Sequence, residues 1–330
     1  MKRRIRFEIR DEYIDLLLLD FLVRRFPYHE RDAWRAVIES GRVTVAGVRG
    51  AVDQRLRLGD VVEYIAHDIP EPRVSLNVKV VYDDADIIVV NKPGNLPTHP
   101  GGRYFNHTLW AMLVRDYGLQ SPSMVNRLDR ETSGLVVVAK TPAAAKRARA
   151  QFARHEVQKT YRALVEGCLS GIVSARGWLV ADPSSPVHKR RRFVAEAGTE
   201  QEPPPEEGAE WAETSFRGLG CWSGVSEVEV LPRTGRLHQI RATLQCLGFP
   251  IVGDKLYGAD PGIFLRFCTD ALTDADRSAL RMDRQALHAA RLRFRHPRSG
   301  AWVQYDAPLP DDMSRLLREL RGESSPAASR

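Results

Sequence analysis

Residues 126–139 read NRLDRETSGLVVVA and join the densest polar cluster of the chain to an apolar run. That run, residues 135–139, has the length and composition of a buried β-strand. Just before it, Asp129 is flanked by Arg127 and Arg130, and neighbouring cations favour the ionised form of a carboxylate. The small residues before the strand can turn the chain tightly, which predicts an ionised carboxylate at the mouth of a sheet, suited to nucleophilic chemistry. The same pattern also fits a surface ion pair.

Strand-like segments with short connections dominate the sequence from residue 78 onwards. Apolar patterns predict strands at residues 78–81, 87–91, 161–165, 211–216, 228–231, 292–294 and 302–305. Helical patterns are fewer, and they lie at residues 107–117, after the capping pair Thr141-Pro142, and at residues 237–247. Many strands with few helices favour an α+β fold, with a mixed, largely antiparallel sheet, over alternating βαβ units.

A smaller unit precedes this sheet. Its apolar spacing predicts a helix that carries Ile14 and ends near Pro27, then a second helix that ends at Gly41. Short strands are predicted to follow at residues 43–45 and 61–65. Arginines are spread through this unit, and their charge suits contact with phosphates. The candidates for such phosphate contacts here are Arg31, Arg35 and Arg42.

These patterns divide the chain into two domains. We expect a small α+β module at residues 1–70 and a larger domain at residues 71–320, joined by a polar linker at residues 67–72. An acidic segment broken by prolines at residues 195–210 predicts a solvated or disordered insert that lengthens a surface hairpin. Residues 321–330 are predicted to be a disordered tail for the same reason.

Composition limits the kinds of partner and cofactor. The 330 residues include 49 Lys and Arg against 42 Asp and Glu, and the formal charge of +7 suits a polyanionic partner without requiring one. The four cysteines form no C-x-x-C pair, so we expect free thiols and no metal site. The sequence contains no glycine-rich phosphate loop and no apolar run of about 18 residues. We therefore expect no cofactor, no membrane insertion and a cytoplasmic monomer.

Residues 127–134 (RLDRETSG) resemble the catalytic motif of the RluA-type pseudouridine synthases, which act on ribosomal and transfer RNA. Other segments fit the same family in the same order, namely Lys92-Pro93-Gly94 with His99-Pro100, Lys159-Thr160-Tyr161, residues 233–241 (RTGRLHQIR), residues 253–258 (GDKLYG) and Leu287-His288-Ala289. The N-terminal unit looks like the alpha-L RNA-binding module of small-subunit ribosomal proteins, and a generic basic module is the alternative. Asn126 departs from the His of many members, which puts local scaffold contacts in doubt.

The resemblance implies a cofactor-free isomerase that converts uridine to pseudouridine in structured RNA, with ribosomal RNA favoured over transfer RNA. Asp129 would stabilise or trap the positive sugar that forms when the glycosidic bond breaks. It would do so either by bonding to the sugar or by removing a proton from it. Tyr161 would stack on the uracil and could take the proton from carbon five, unless it is a core residue. Arg236 would pair with Asp129, or else bind RNA phosphate.

A uridine inside folded RNA must be flipped out of its stack before a side chain can reach it. Arg127 could fill the vacated space, and Lys189, Arg190 and Arg191 could follow the RNA backbone or be a solvated strand edge. Two other functions stay open on the sequence. One is an RNA chaperone with an inactive catalytic domain. The other is a nucleoside hydrolase or glycosylase, which would need an activated water and a second carboxylate or a metal.

Overall fold

Two compact units make up the chain. The computed structural model describes residues 3–26, 29–66, 71–196, 204–258 and 260–323. The first unit consists of Met1–Arg73 and His99–Met112, and the second of Val74–Thr98 and Leu113–Arg330. Four residues of the predicted linker, 67–70, lie outside the described residues.

A carboxylate explains why His99–Met112 belongs to the first unit, although the sequence predicted this segment in the larger domain. The side chain of Glu71 accepts hydrogen bonds from the backbone N–H groups of Phe105, Asn106 and His107 at 2.7–2.8 Å. Burial raises the pKa of Glu71, but these hydrogen bonds outweigh it and hold the pKa below its usual range. Residues that are distant in sequence are thereby held together by one ionised side chain.

The first unit combines two helices with a four-stranded antiparallel sheet. Its strands are β1 (Arg3–Glu8), β2 (Val43–Val45), β3 (Val48–Arg49) and β4 (Val61–Ala66), in the order β1-β4-β2-β3. Its helices are α1 (Leu18–Arg25) and α2 (Arg31–Glu39). The two helices and strands β2 and β4 were predicted, whereas β1 and β3 were not.

Aromatic side chains fill the core of this unit. Trp34 of α2 meets Tyr64 of β4 edge to face, with ring centroids 5.0 Å apart, and Phe21 of α1 is also buried. Helix α1 begins at Leu18, later than the apolar pattern from Ile14 predicted. The reason is local, because Asp15 has a φ of 60° and so lies outside the helical region.

An eleven-stranded mixed sheet forms the second unit. Its strands are β5 (Lys79–Asp83), β6 (Ile87–Lys92), β7 (Ser123–Met124), β8 (Ser133–Ala139), β9 (Gln158–Glu166), β10 (Ile172–Ala181), β11 (Arg191–Ala195), β12 (Glu210–Trp222), β13 (Val225–Pro232), β14 (Leu287–Arg295) and β15 (Trp302–Asp306). Their order is β11-β10-β12-β13-β9-β14-β8-β6-β5, with β15 also paired to β14 and β7 to β8. Within the described strands, only β14 and β8 pair in parallel. The predicted α+β fold with a largely antiparallel sheet is confirmed.

Several short helices follow in the chain. Helix α3 (Leu109–Arg115) begins in the first unit and ends in the second, and the second unit also contains α4 (Pro142–Ala153), α5 (Gln239–Cys246), α6 (Gly262–Cys268), α7 (Asp274–Leu280) and α8 (Asp311–Arg321). Helix α4 begins as predicted, because Thr141 accepts a hydrogen bond from the Ala144 N–H at 3.2 Å. Helices α6, α7 and α8 were not predicted. The described part of the chain contains no helix with the length and apolar character that crossing a bilayer requires.

The acidic insert does not lengthen a hairpin. It joins β11 to β12, and these strands are not neighbours, since β10 lies between them. The insert therefore carries the chain past β10. Its residues 197–203, like residues 324–330 of the predicted tail, lie outside the described residues.

The expectation of four free thiols is wrong for two of them. Cys168, just after β9, and Cys221, in β12, form a disulfide with a Cα–Cα distance of 5.4 Å. Strand β13 pairs with both β9 and β12, so the sheet brings together two residues that are 53 positions apart. Sequence spacing could not show this pairing. Cys246 and Cys268 are free and exposed.

We predict that Cys221→Ser lowers the free energy of unfolding by roughly 2–4 kcal/mol without reductant, because the cross-link restricts the unfolded chain. Denaturant unfolding with and without dithiothreitol measures this. Cys246→Ser is the matched control and should unfold like the parent protein. Four reactive thiols in the unfolded, unreduced protein, with identical curves in both buffers, would contradict the disulfide.

Candidate active site

Asp129 lies in the loop between β7 and β8, and Asn126 attaches this loop to β8. The Asn126 side chain donates to the Leu135 carbonyl at 3.2 Å and accepts from the Val137 N–H at 2.8 Å. Both groups belong to the backbone of β8, so the Asn126 amide holds the loop to this strand through both its donor and its acceptor. The departure from histidine at this position therefore leaves the loop anchored.

Glycine is required where the loop enters β8. Gly134 has a φ of 115°, and a Cβ atom there would overlap the backbone of Ala289 in β14. This close approach occurs where β8 and β14 pair in parallel. Strand β9 pairs with the other edge of β14. The residues just before β8, which include Asp129, therefore lie near β9.

Arg241 of α5 pairs with Asp129. Its Nη1 lies 2.8 Å from Asp129 Oδ2, while its Nε and Nη2 bind the two carboxylate oxygens of Asp254 at 2.6 and 2.9 Å. Asp254 is itself buried and accepts the N–H groups of Leu256 and Tyr257, both at 3.0 Å. One guanidinium thus bridges two carboxylates with directed, charge-assisted hydrogen bonds.

The predicted pairing of Arg236 with Asp129 is wrong. Arg236 Nε donates to the Trp211 carbonyl at 3.2 Å, and its Nη1 lies 3.6 Å from Glu210. Helix α5 begins at Gln239, and His238 before it is left-handed with a φ of 55°. This turn directs Arg236 towards β12, whereas Arg241 lies inside the helix and reaches the carboxylate.

The pair sets the charge of Asp129. Burial raises the pKa of this carboxyl group, but the charge of Arg241, the electrostatic interaction with His238 and hydrogen bonds from Arg241 and Gln285 outweigh it. The pKa of Asp129 therefore lies below its usual range, and the group is ionised at neutral pH. Its side chain keeps 30% of its surface exposed, so the carboxylate can be reached from solvent.

Tyr161 of β9 lies on the wall of the same cavity. Burial, and then the charge of Asp129, raise the pKa of the phenol well above its usual value. The hydroxyl thus keeps its proton at neutral pH. In this state the ring can stack on a base and the hydroxyl can donate, whereas direct action as a base would require deprotonation.

The cavity has a volume of about 110 Å³. Its wall combines the candidate catalytic residues with residues 232–241, and the lining includes Arg127, Asp129, Thr132, Lys159, Tyr161, Thr234, Arg236, His238, Arg241 and Leu287. Lys159 Nζ donates to the Thr234 carbonyl at 2.7 Å. Burial, and then Arg236, lower the pKa of Lys159 to about 8. Within the described ranges, no three His, Cys, Asp or Glu side chains form a group that could hold a metal ion.

Two lysines hold the loop that carries Asp129. Lys92 is fully buried and donates to the carbonyls of Pro93, Leu96 and Arg130 at 2.9, 2.8 and 3.2 Å. Burial, and then Arg284, lower the pKa of Lys92 to about 7. Three carbonyls in this geometry satisfy the three donors of an ammonium group. Lys92 therefore ties the segment after β6 to the loop that carries Asp129.

The second lysine, Lys255, acts on the next residues of the loop. Its Nζ lies 3.1 Å from both carboxylate oxygens of Glu131. Gln285 Nε2 donates to Thr132 Oγ1 at 2.5 Å, and Arg284 Nη1 to the Glu131 carbonyl at 3.1 Å. The residues that follow Asp129 are therefore constrained by side chains from distant parts of the chain.

Comparison with known proteins agrees with this geometry. A sequence model described as RNA pseudouridylate synthase matches residues 86–246, which include Asp129, Tyr161 and Arg241. Ribosomal large subunit pseudouridine synthase D of Nitrosomonas europaea is 31% identical over 99% of this chain and 90% of its own. The chain belongs to the RNA pseudouridine synthase family. It is thus an isomerase that acts on RNA.

Two further relatives extend the comparison. The mitochondrial tRNA pseudouridine(32) synthase of Saccharomyces cerevisiae is 32% identical over 76% of this chain, which spans about half (52%) of the yeast protein. The structure of human RNA Pseudouridylate Synthase Domain Containing 1 aligns with a TM-score of 0.53 and 27% identity. It covers 78% of this chain and all of the human one.

The structure distributes the predicted RNA-binding residues unevenly. Arg127 is exposed at the cavity and Lys189 is exposed before β11. Arg190 differs from expectation, because its guanidinium forms an ion pair with Asp182, donates to the Leu256 carbonyl at 3.2 Å and lies over the Tyr257 ring. These contacts engage Arg190 within the fold of the synthase.

The predicted RNA-binding arginines of the N-terminal unit also differ in the contacts that they make. Arg31 pairs with Asp20 at 2.7 Å, and Arg42 Nε donates to Ser40 Oγ at 2.9 Å. Arg35 is exposed on α2. Arg35 and Arg42 therefore keep donors for a ligand without breaking an ion pair.

We predict that Arg241→Gln slows the chemical step of the synthase by about a hundredfold in single-turnover assays at saturating enzyme. Loss of the cation raises the pKa of Asp129, so the acid limb of the pH–rate profile should move to higher pH. Arg236→Gln removes the same charge from the cavity wall and is the matched control, with a much smaller loss.

Because Arg241→Gln also leaves Asp254 buried without its partner, thermal unfolding must show that the variant is folded. Arg241→Lys keeps the charge and should restore the acid limb but only part of the rate, since lysine lacks the planar fork. An unshifted acid limb in a folded Arg241→Gln protein would contradict the pairing.

Proposed function

We propose that Asp129 is the catalytic carboxylate of this synthase and that it acts on the ribose of a uridine in structured RNA. One observation carries the proposal: an ionised carboxylate, held at 2.8 Å by Arg241, faces a cavity that Tyr161 also lines. In the isomerisation, the bond from ribose C1′ to uracil N1 breaks and a bond from C1′ to C5 forms. The proton on C5 is lost and N1 gains one, so the product has the mass of the substrate.

Positive charge develops on the sugar as the C1′–N1 bond breaks, as in glycoside hydrolysis. A preorganised carboxylate stabilises that charge, either as an ion or as a covalent partner of C1′. The protonated Tyr161 stacks on the uracil while the ring turns over. A glycosylase would release the base instead, and the family to which the chain belongs favours the isomerase.

We propose that the target uridine is flipped into the cavity, because its reacting atoms are inaccessible in a stacked helix. Arg127 lies exposed at the cavity and would occupy the space that the base vacates. Ribosomal RNA is the favoured substrate and transfer RNA the second. The relative named for the large ribosomal subunit matches this chain nearly end to end, whereas the transfer RNA enzyme shares about half of its length.

The first unit is proposed to be an alpha-L-type module that binds RNA phosphates through Arg35 and Arg42. Its order of two helices followed by short strands, and its exposed arginines, support this role. A cytoplasmic monomer stays the prediction of the sequence. The Cys168–Cys221 disulfide is the feature against a reducing compartment, where such bonds are rare.

We predict that Asp129→Asn retains RNA binding but loses at least 99% of the activity, which corresponds to a barrier increase of roughly 2.7 kcal/mol or more. Liquid chromatography of nucleosides after RNA digestion measures pseudouridine, and free uracil would reveal a glycosylase. Asp116→Asn is the matched control, since Asp116 is exposed and pairs with the adjacent Arg115. Activity of Asp129→Asn near that of the control would refute the assignment.

For the first unit, we predict that the double variant Arg35→Ala, Arg42→Ala weakens RNA affinity and reduces its salt dependence. Each lost phosphate contact should lower the slope of log K against log salt by about 0.7–0.9. Filter binding from low to high salt measures the slope. The double variant Arg315→Ala, Arg318→Ala on helix α8 is the control of equal charge, and equal slopes in the two double variants would remove the RNA-binding role from Arg35 and Arg42.

A further inference from the structure

We propose that His238 is a positioning residue for Asp129, and that the hydroxyl of Tyr257 fixes which nitrogen of His238 carries its proton. The inference rests on the proposed role of Asp129 and adds a residue to it. His238 Nε2 lies 3.9 Å from Asp129 Oδ2, and His238 Nδ1 lies 2.9 Å from the Tyr257 hydroxyl. The imidazole thus connects the carboxylate to a buried phenol.

The direction of the hydrogen bonds follows from counting protons. Tyr257 is fully buried, and its hydroxyl oxygen accepts the backbone N–H of Arg191, at the start of β11, at 2.8 Å. Burial raises the pKa of Tyr257 to about 12, so the phenol keeps its single proton. A buried hydroxyl must donate that proton to avoid a free-energy cost. Among the described residues, its acceptor is His238 Nδ1.

If Nδ1 accepts, the proton of a neutral imidazole lies on Nε2. Burial, and then the charge of Arg241, lower the pKa of His238 to about 4, which makes the neutral ring the form at physiological pH. Its Nε2–H group then lies 3.9 Å from Asp129 Oδ2, too far for a hydrogen bond but close enough for the N–H dipole to attract the negative charge. The alternative tautomer would place a nitrogen lone pair against a negative oxygen, which is repulsive.

The two groups that act on this oxygen of Asp129 therefore differ in kind. Arg241 supplies a full charge and a hydrogen bond at 2.8 Å from Oδ2, and His238 supplies a neutral N–H dipole at 3.9 Å from the same atom. The dipole orients the carboxylate without adding a second cation that would reduce its reactivity. The left-handed backbone at His238, with a φ of 55°, turns its side chain to this position.

The tautomer can be measured on the protein alone. Nitrogen-15 NMR of protein with labelled histidine should show His238 in the Nε2–H form at neutral pH. Tyr257→Phe keeps the ring but removes the proton donor, so the His238 signals should move towards a mixture of tautomers. Tyr82→Phe, which removes a hydroxyl bound to Asp84 at 3.0 Å, is the matched control and should leave them unchanged. A Nδ1–H form in the parent protein would overturn the inference.

Kinetics separates positioning from mere packing. The amide nitrogen of glutamine falls near the Nε2 of histidine, whereas that of asparagine falls near Nδ1. We expect His238→Asn to lower the single-turnover rate about tenfold and His238→Gln to recover most of it, with RNA affinity unchanged in both. Equal rates in the two variants would overturn the role of the N–H.

These outcomes are distinguishable from failure of the proposed function. If Asp129→Asn is active, the catalytic assignment fails whatever the tautomer of His238. If Asp129→Asn is inactive while His238→Asn matches His238→Gln, the assignment of Asp129 stands and the positioning role of His238 fails. In a double variant with Asp129→Asn, the change at His238 should have no further effect on the rate, because both residues act as one unit.

Discussion

The guanidinium of Arg241 lies between the carboxylates of Asp129 and Asp254, and the rest of the site is arranged around it. Two carboxylates so close together could not both stay ionised in a partly dry pocket without a cation between them. Asp254 is fully enclosed and binds two backbone N–H groups, so it fixes the guanidinium in place. Asp129 keeps part of its surface open. The buried carboxylate therefore provides rigidity, and the open one is available for the proposed chemistry.

The sheet determines where Asp129, Arg241 and Asp254 can come together. Strands β8, β14 and β9 lie side by side, so the loop before β8 and the tyrosine of β9 reach the same cavity. Strands β8 and β14 can pair in parallel because Gly134 has no side chain at the point where they approach. Lys92 and Lys255 then hold the loop from the side away from the cavity. A carboxylate whose loop is held in this way loses little freedom when substrate binds, which suits the proposed catalytic role of Asp129.

Local patterns in the sequence predicted the α+β class, the strands near the motifs and the position of Asp129. They failed where the answer depended on the start of a helix. Arg236 and Arg241 both lie in the segment 233–241. Apolar spacing could not show that the backbone of His238 is left-handed and that α5 begins after it. They also failed for Cys168 and Cys221, because that pairing depends on the order of strands in the sheet. The insert was misjudged for the same reason, since β11 and β12 are separated by β10.

The isomerisation consumes no electrons, water or phosphate, so the protein needs groups in suitable charge states rather than a cofactor. Three titratable side chains of the site reach their charge states for different physical reasons at the same pH. Asp129 is ionised because Arg241 outweighs its burial, whereas Tyr161 keeps its proton because burial and Asp129 act together. His238 is neutral for the same reason, as burial and Arg241 both disfavour its charge. Of these three groups only Asp129, whose partner opposes the effect of burial, stays charged, and Arg241 is that partner.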